Sequence, residues 1–153
     1  MSSAKTILLA DPDHESARYV TLVLENEGFR VVTTRDGEEA LQKLRTAQPH
    51  LVLLEIPMPG TNGYQVCRAI KEDEVLRTLP VIFLSAKAQP SDRFWAKRVG
   101  ADGFVAKPFD PADLLREIHA HLDDGKPPSS SAPPPAPPAR TRRTAGKAKG
   151  GGR

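Results

Sequence analysis

Short apolar runs alternate along the chain with segments whose apolar positions recur every three to four residues. The run over 5–10 (KTILLA) predicts a buried strand. Residues 14–27 predict a helix, with Ala17, Val20 and Leu24 at helical spacing and Gly28 as its stop. A second strand is expected over 29–34, rich in β-branched side chains. A helix over 36–46 turns Ala40, Leu41 and Leu44 inward, and 50–55 is a third strand. A helix over 62–72 is capped by Asn62, and a fourth strand covers 80–84. A helix over 91–99 ends at Gly100, with Phe94 facing the core and Trp95 facing out. A short strand over 103–106 leads to a last helix over 110–122, entered through Asp110-Pro111.

These are five strand–helix units joined by short connections. Continuous apolar strands need cover on both faces, which implies a parallel sheet. Right-handed crossovers then give a doubly wound α/β fold with five helices. Ligands in such folds bind beyond the carboxyl ends of the strands. Those ends carry Asp11-Pro12-Asp13, Glu55, Ser85-Ala86 and Lys107-Pro108-Phe109. Acids, one hydroxyl and one lysine on a shared edge suit two ligands. One is a divalent cation, which favours oxygen ligands. The other is a phosphoryl group, with the hydroxyl and the ammonium as donors.

Composition divides the chain into a folded domain over 5–123 and a tail over 124–153. The tail holds seven prolines between Pro127 and Pro138, then a small, basic end (ARTRRTAGKAKGGGR). It cannot build a core and is expected to be disordered. Its seven cations against Asp124 give +6, so a whole-chain charge of +3 leaves the domain at −3. The tail either attracts an acidic partner or nucleic acid by unspecific, salt-sensitive contact, or serves as a solubilising end. It has no aromatic residue for stacking on single strands. Cys67 is the only cysteine and fits the core, and the four histidines fit surface positions. Lys71 to Glu74 reads as a solvated helix end. There is no secretory signal and no apolar stretch long enough to span a membrane, so a cytoplasmic location is expected.

The segments KTILLADPD, PHLVLLEIPMPGTNGYQVCRAIK, LPVIFLSAK and GADGFVAKPF resemble, in order and spacing, the receiver domain of two-component response regulators. The likeness covers residues 5–122 and implies a flavodoxin-like sheet of order 2-1-3-4-5. In that family a loop acid pair and an aspartate ending the third strand bind Mg²⁺. The same aspartate accepts a phosphoryl group from a histidine kinase. A Ser/Thr and a Lys contact the phosphoryl oxygens, and an aromatic ring moves with the hydroxyl. The resemblance assigns these roles to Ser85, Phe104 and Lys107, and assigns metal ligation to Asp11, position 55 and the main-chain carbonyl of Pro57.

Two positions depart from the pattern. Glu55 stands at the phosphoacceptor aspartate, and Pro12 at the second acid of the pair. Asp13, one residue on, is the remaining acid of the pocket. The extra methylene of Glu55 moves its oxygens by about 1.5 Å, and a 1 Å misplacement costs on the order of a hundredfold in rate. Pro12 removes a charge and a ligand. A weakened or absent Mg²⁺ site, no required cofactor and slow or absent phosphorylation follow. Two accounts of Glu55 stay open: a permanent mimic of the phosphoryl group, or a partner for Lys107 in an inactive conformation. Its origin is open too, as a natural degenerate receiver or as an aspartate replaced to make a phosphomimetic. Without a DNA-binding, kinase or catalytic module in the sequence, enzymatic activity is not expected and output is by binding. The resemblance puts partners on the face with Trp95, Lys97, Arg98 and Phe104. A fainter likeness of 91–109 is to stand-alone receivers of chemotaxis-like and motility systems.

Overall fold

The computed structural model describes residues 4–122. The tail expected to be disordered over 124–153, with its nucleic-acid reading, lies outside the described residues. The elements run β1 (Thr6–Ala10), α1 (His14–Asn26), β2 (Arg30–Thr34), α2 (Gly37–Ala47), β3 (Leu51–Leu54), α3 (Gly63–Glu72), β4 (Val81–Ser85), α4 (Pro90–Arg98), β5 (Gly103–Ala106) and α5 (Pro111–Leu122). All five strands are parallel in the order β2-β1-β3-β4-β5. Among the described residues no helix is long and apolar enough to cross a membrane.

Each strand's apolar run is shared between two cores because successive side chains point to opposite faces. Leu8, Ala10, Val52, Leu54, Val81 and Phe83 pack with α2, α3 and the Ala96 of α4. Ile7, Leu9, Leu51, Leu53, Ile82 and Leu84 pack with α1 and α5. Cys67 lies buried in the first of these, and its thiol is pushed up to about 12 by burial.

Two local expectations are corrected. Phe94 is not in the core but 54% exposed, beside Trp95 at 51%. The face that α4 turns inward holds Asp92 and Ala96, one helical turn apart, and Phe94 lies halfway round from both. Lys71 is not part of a solvated end. Its ammonium donates to the carbonyl of Leu79 and pairs with Asp102, both at 2.9 Å, tying α3 to the segments before β4 and β5.

The register brings the chemistry to one edge. Ala10 stands level with Thr34 and Leu54, and Ser85 with Ala106. Asp11, Glu55 and Lys107, each one residue past its strand, still donate N–H bonds to the neighbouring strand ends Thr34, Ala10 and Ser85 at 2.9–3.0 Å. Asn62 caps α3 through the Gln65 N–H at 3.0 Å. The next residue, Gly63, packs so tightly that a Cβ there would overlap the Glu55 carbonyl oxygen and press on the Phe83 ring. Gly63→Ala is expected to cost about 1–3 kcal/mol through overpacking, measured as a lower denaturation midpoint with an unchanged slope.

Candidate functional site

Asp11 is 2% exposed and Glu55 is 8% exposed, and both are held by the ends of central strands. Lys107 reaches them from the end of β5. Its Nζ donates to Asp11 Oδ2 at 2.8 Å and to Glu55 Oε1 at 2.9 Å. The other Asp11 oxygen accepts the Asp13 N–H at 2.9 Å. Glu55 Oε2 accepts the Ile56 N–H at 3.0 Å and the hydroxyl of Ser85, which is fully buried. Ser85 Oγ in turn accepts the Lys87 N–H at 3.0 Å.

Both Glu55 oxygens are therefore satisfied by donors from two other strands, and one ammonium serves two buried acids. Burial by itself lowers the pKa of an ammonium. Here the hydrogen bonds to Asp11 and Glu55, and their charges, outweigh it and hold Lys107 above the ordinary lysine value.

Four sequence-predicted residues thus meet: Asp11, Glu55, Ser85 and Lys107. Asp13 does not join them. It is exposed, and its carboxylate caps α1 by accepting the Glu15 N–H at 3.2 Å; a short acid just before a helix is drawn to the free N–H groups of the first turn. Pro12 is half-buried and its side chain has no polar atom to offer, and Pro57 is exposed two residues past Glu55. Phe104 is half-buried, 6.1 Å from the Phe83 ring and under the Arg93 guanidinium at 4.6 Å. Trp95, Lys97 and Arg98 are exposed on α4.

The sequence reading missed a second cluster that starts where this one ends. Asp92, 4% exposed, accepts from the Lys87 ammonium at 2.6 Å, the Gln89 N–H at 2.9 Å and the Tyr64 hydroxyl at 3.2 Å. The Lys87 hydrogen bond chiefly, against burial, keeps the Asp92 carboxyl below its ordinary value. Burial and the Asp92 charge push the Tyr64 phenol up to about 12. Lys87 thus touches Ser85 with its main chain and α4 with its side chain, while Tyr64 joins α3 to the same point. One signal was available in sequence: Asp92 stands three residues after Gln89, the spacing at which a side chain reaches back to a helix start.

With this geometry established, comparison with known proteins is decisive. The family model for the response regulator receiver domain matches residues 7–119. The chain belongs to the response regulator receiver family. The DNA-binding response regulator MtrA of Mycolicibacterium smegmatis is 39% identical over 116 residues, 76% of this chain and 50% of MtrA. This receiver therefore spans about half the length of that relative. Protein PilH of Pseudomonas aeruginosa is 35% identical, over 76% of this chain and 96% of PilH. Among solved structures, CheY4 of Vibrio cholerae superposes with a TM-score of 0.73 at 28% identity, covering 79% of this chain and all of CheY4. The receiver of the sensor kinase PA1611 from Pseudomonas aeruginosa gives 0.75 at 27% identity, covering 80% of this chain and all of that one.

The PA1611 receiver was crystallised with a magnesium ion coordinated in its active site cleft, and receivers commonly bind magnesium there. The side chains that would hold such an ion in this receiver are Asp11 and Glu55, both buried at the strand ends. All four oxygens of Asp11 and Glu55 already accept hydrogen bonds, Pro12 has no side-chain ligand, and Asp13 caps a helix. Among the described residues no three acidic, imidazole or thiolate side chains converge as a metal set.

Lys107→Met leaves two buried acids without their cation. It is expected to destabilise the domain by about 3–5 kcal/mol at neutral pH. Because the Lys107 pKa is raised on folding, its contribution is complete below 10.5 and fades as pH climbs through the elevated value. Denaturant titrations at increasing alkaline pH should show that decline in the parent and not in the variant.

Proposed function

We propose that this receiver signals through protein contacts from a conformation set by Glu55 itself, with slow or absent phosphoryl chemistry and a weakened magnesium site. The observation that carries the reading is the division of labour on one carboxylate. Oε2 accepts the Ser85 hydroxyl and Oε1 accepts the Lys107 ammonium, the two donors that receivers turn towards phosphoryl oxygens. A phosphoryl group brings about −1.5 to −2 charge and three acceptor oxygens. Glu55 brings one charge and two acceptors, already engaged. The longer side chain draws Ser85 to it without a phosphoryl group. The alternative of a simple Glu55–Lys107 pair leaves Ser85 unexplained.

The route outward runs from Ser85 to the Lys87 main chain, and from the Lys87 ammonium to Asp92 on α4. Phe104, half-buried against Phe83, matches the inward position of the ring that follows the hydroxyl. Receivers interact with histidine kinases and other signalling proteins. For this one the partner face is assigned to Trp95, Lys97, Arg98 and Phe104. PilH, a relative matched over 96% of its own length, is nearly all receiver, and it supports output from the receiver body.

A second reading keeps the convergence of Asp11, Ser85 and Lys107 as machinery for turnover. On that reading this is a phosphorelay receiver whose aspartate was replaced by glutamate.

Radiolabelling by acetyl phosphate with magnesium tests both. The parent chain is expected to take up no label. Glu55→Asp alone should label weakly, and Glu55→Asp combined with Pro12→Asp strongly. Strong magnesium-dependent labelling of Glu55→Asp alone favours the second reading, and ready labelling at Glu55 itself overturns the first.

A further inference from the structure

Between the carboxyl-terminal halves of α3 and α4 lies a cleft of about 360 Å³, lined by Arg68, Lys71, Glu72, Trp95, Arg98 and Gly100. Three cations and one acid face it. Its apolar wall is Val99 and the Trp95 side chain, the latter half exposed with Phe94 edge-on at 5.3 Å. We infer that this cleft binds an acidic segment of a partner protein, with one apolar side chain of that segment packed on Trp95. This rests on the reading that the receiver acts by protein contact, and it names the chemistry of the partner.

The cations differ in availability. Lys71 is tied to Leu79 and Asp102, so its charge is already matched within the domain. Arg68 is joined only to Glu72 at 3.2 Å, an exposed pair one turn apart of the kind worth little in water. Arg98 is exposed and, among the described residues, pairs with no carboxylate. Two guanidinium groups beside an uncovered indole suit paired carboxylates, which they meet bidentately. Trp and Arg are also the residues on which binding energy concentrates.

The other flank of α4 differs. There the cleft of about 390 Å³ contains Phe104, whose ring is already covered by Arg93 at 4.6 Å. The two helices that form the α3–α4 cleft are also tied to each other at their amino-terminal ends, where Tyr64 on α3 and Lys87 meet at Asp92 of α4. Nucleic acid fits less well: a single indole offers only one stacking surface.

Trp95 is the only tryptophan of the chain, so its fluorescence reports the cleft directly. The full chain is titrated with a short synthetic peptide carrying one leucine between runs of glutamate. The same peptide with lysine for glutamate, and a short single-stranded DNA, are titrated in parallel. A saturable emission change is expected for the glutamate peptide alone, weakening with salt. Arg98→Glu should weaken it by about tenfold or more, the loss of one binding hot spot, while Leu22→Ala, exposed on α1 away from the cleft, keeps it. Trp95→Ala, read by calorimetry, should lose binding. All three changes are at exposed positions, and circular dichroism checks that the variants fold.

No saturable change with the glutamate peptide, equal binding in Arg98→Glu, or tighter binding of the DNA overturns the inference. Glu55→Gln separates it from the reading it rests on. If Arg98→Glu weakens the peptide and Glu55→Gln does not, the cleft stands and control by Glu55 fails. If both weaken it, both stand.

Discussion

The Lys107 ammonium lies between two carboxylates that are themselves almost out of water, Asp11 and Glu55. Taking such charges from water costs several kcal/mol each unless they are paired and hydrogen-bonded. The three residues are far apart in sequence, at the ends of β1, β3 and β5. Only a parallel sheet in register brings them to one edge. The fold and the site are thus mutually dependent: the register places the charges, and the ammonium makes their burial tolerable.

On the proposed reading, Glu55 changes what that edge does. Its extra methylene carries one oxygen to the Ser85 hydroxyl while the other stays with Lys107. A site that in the family takes a transient anion would then hold a permanent one, and Pro12 in place of the second acid would fit the same picture by lowering the negative charge of the pocket. Ser85, Lys87, Asp92 and Tyr64 form a continuous set of hydrogen bonds from Glu55 to the facing ends of α3 and α4. The proposed control of the surface that those helices offer would run through these bonds.

Much of this was legible in the sequence. Apolar runs broken at Asp11, Glu55, Ser85 and Lys107 named the strands and the polar ends that the structure brings to one edge, because burial ends where each strand ends. What the pattern concealed was set by competition between partners. Asp13 lies next to the pocket in sequence, but the free N–H groups of α1 claim it. Phe94 looks like a core residue, yet α4 turns a charged residue, Asp92, inward, since that acid has three donors waiting. Lys71 belongs to a charged run but is fixed by Asp102, thirty-one positions away. Each depends on a tertiary neighbour that local spacing does not announce.

The central claim is that Glu55 holds Ser85 and Lys107 in place with neither phosphoryl group nor metal. A crystal structure of the chain grown in excess magnesium tests it most directly. The account predicts Lys107 still bridging Asp11 and Glu55, with the Ser85 hydroxyl on Glu55 and no cation between the acids. A magnesium ion ligated by Asp11, Glu55 and the Pro57 carbonyl, with Lys107 displaced and Ser85 turned away, would contradict it.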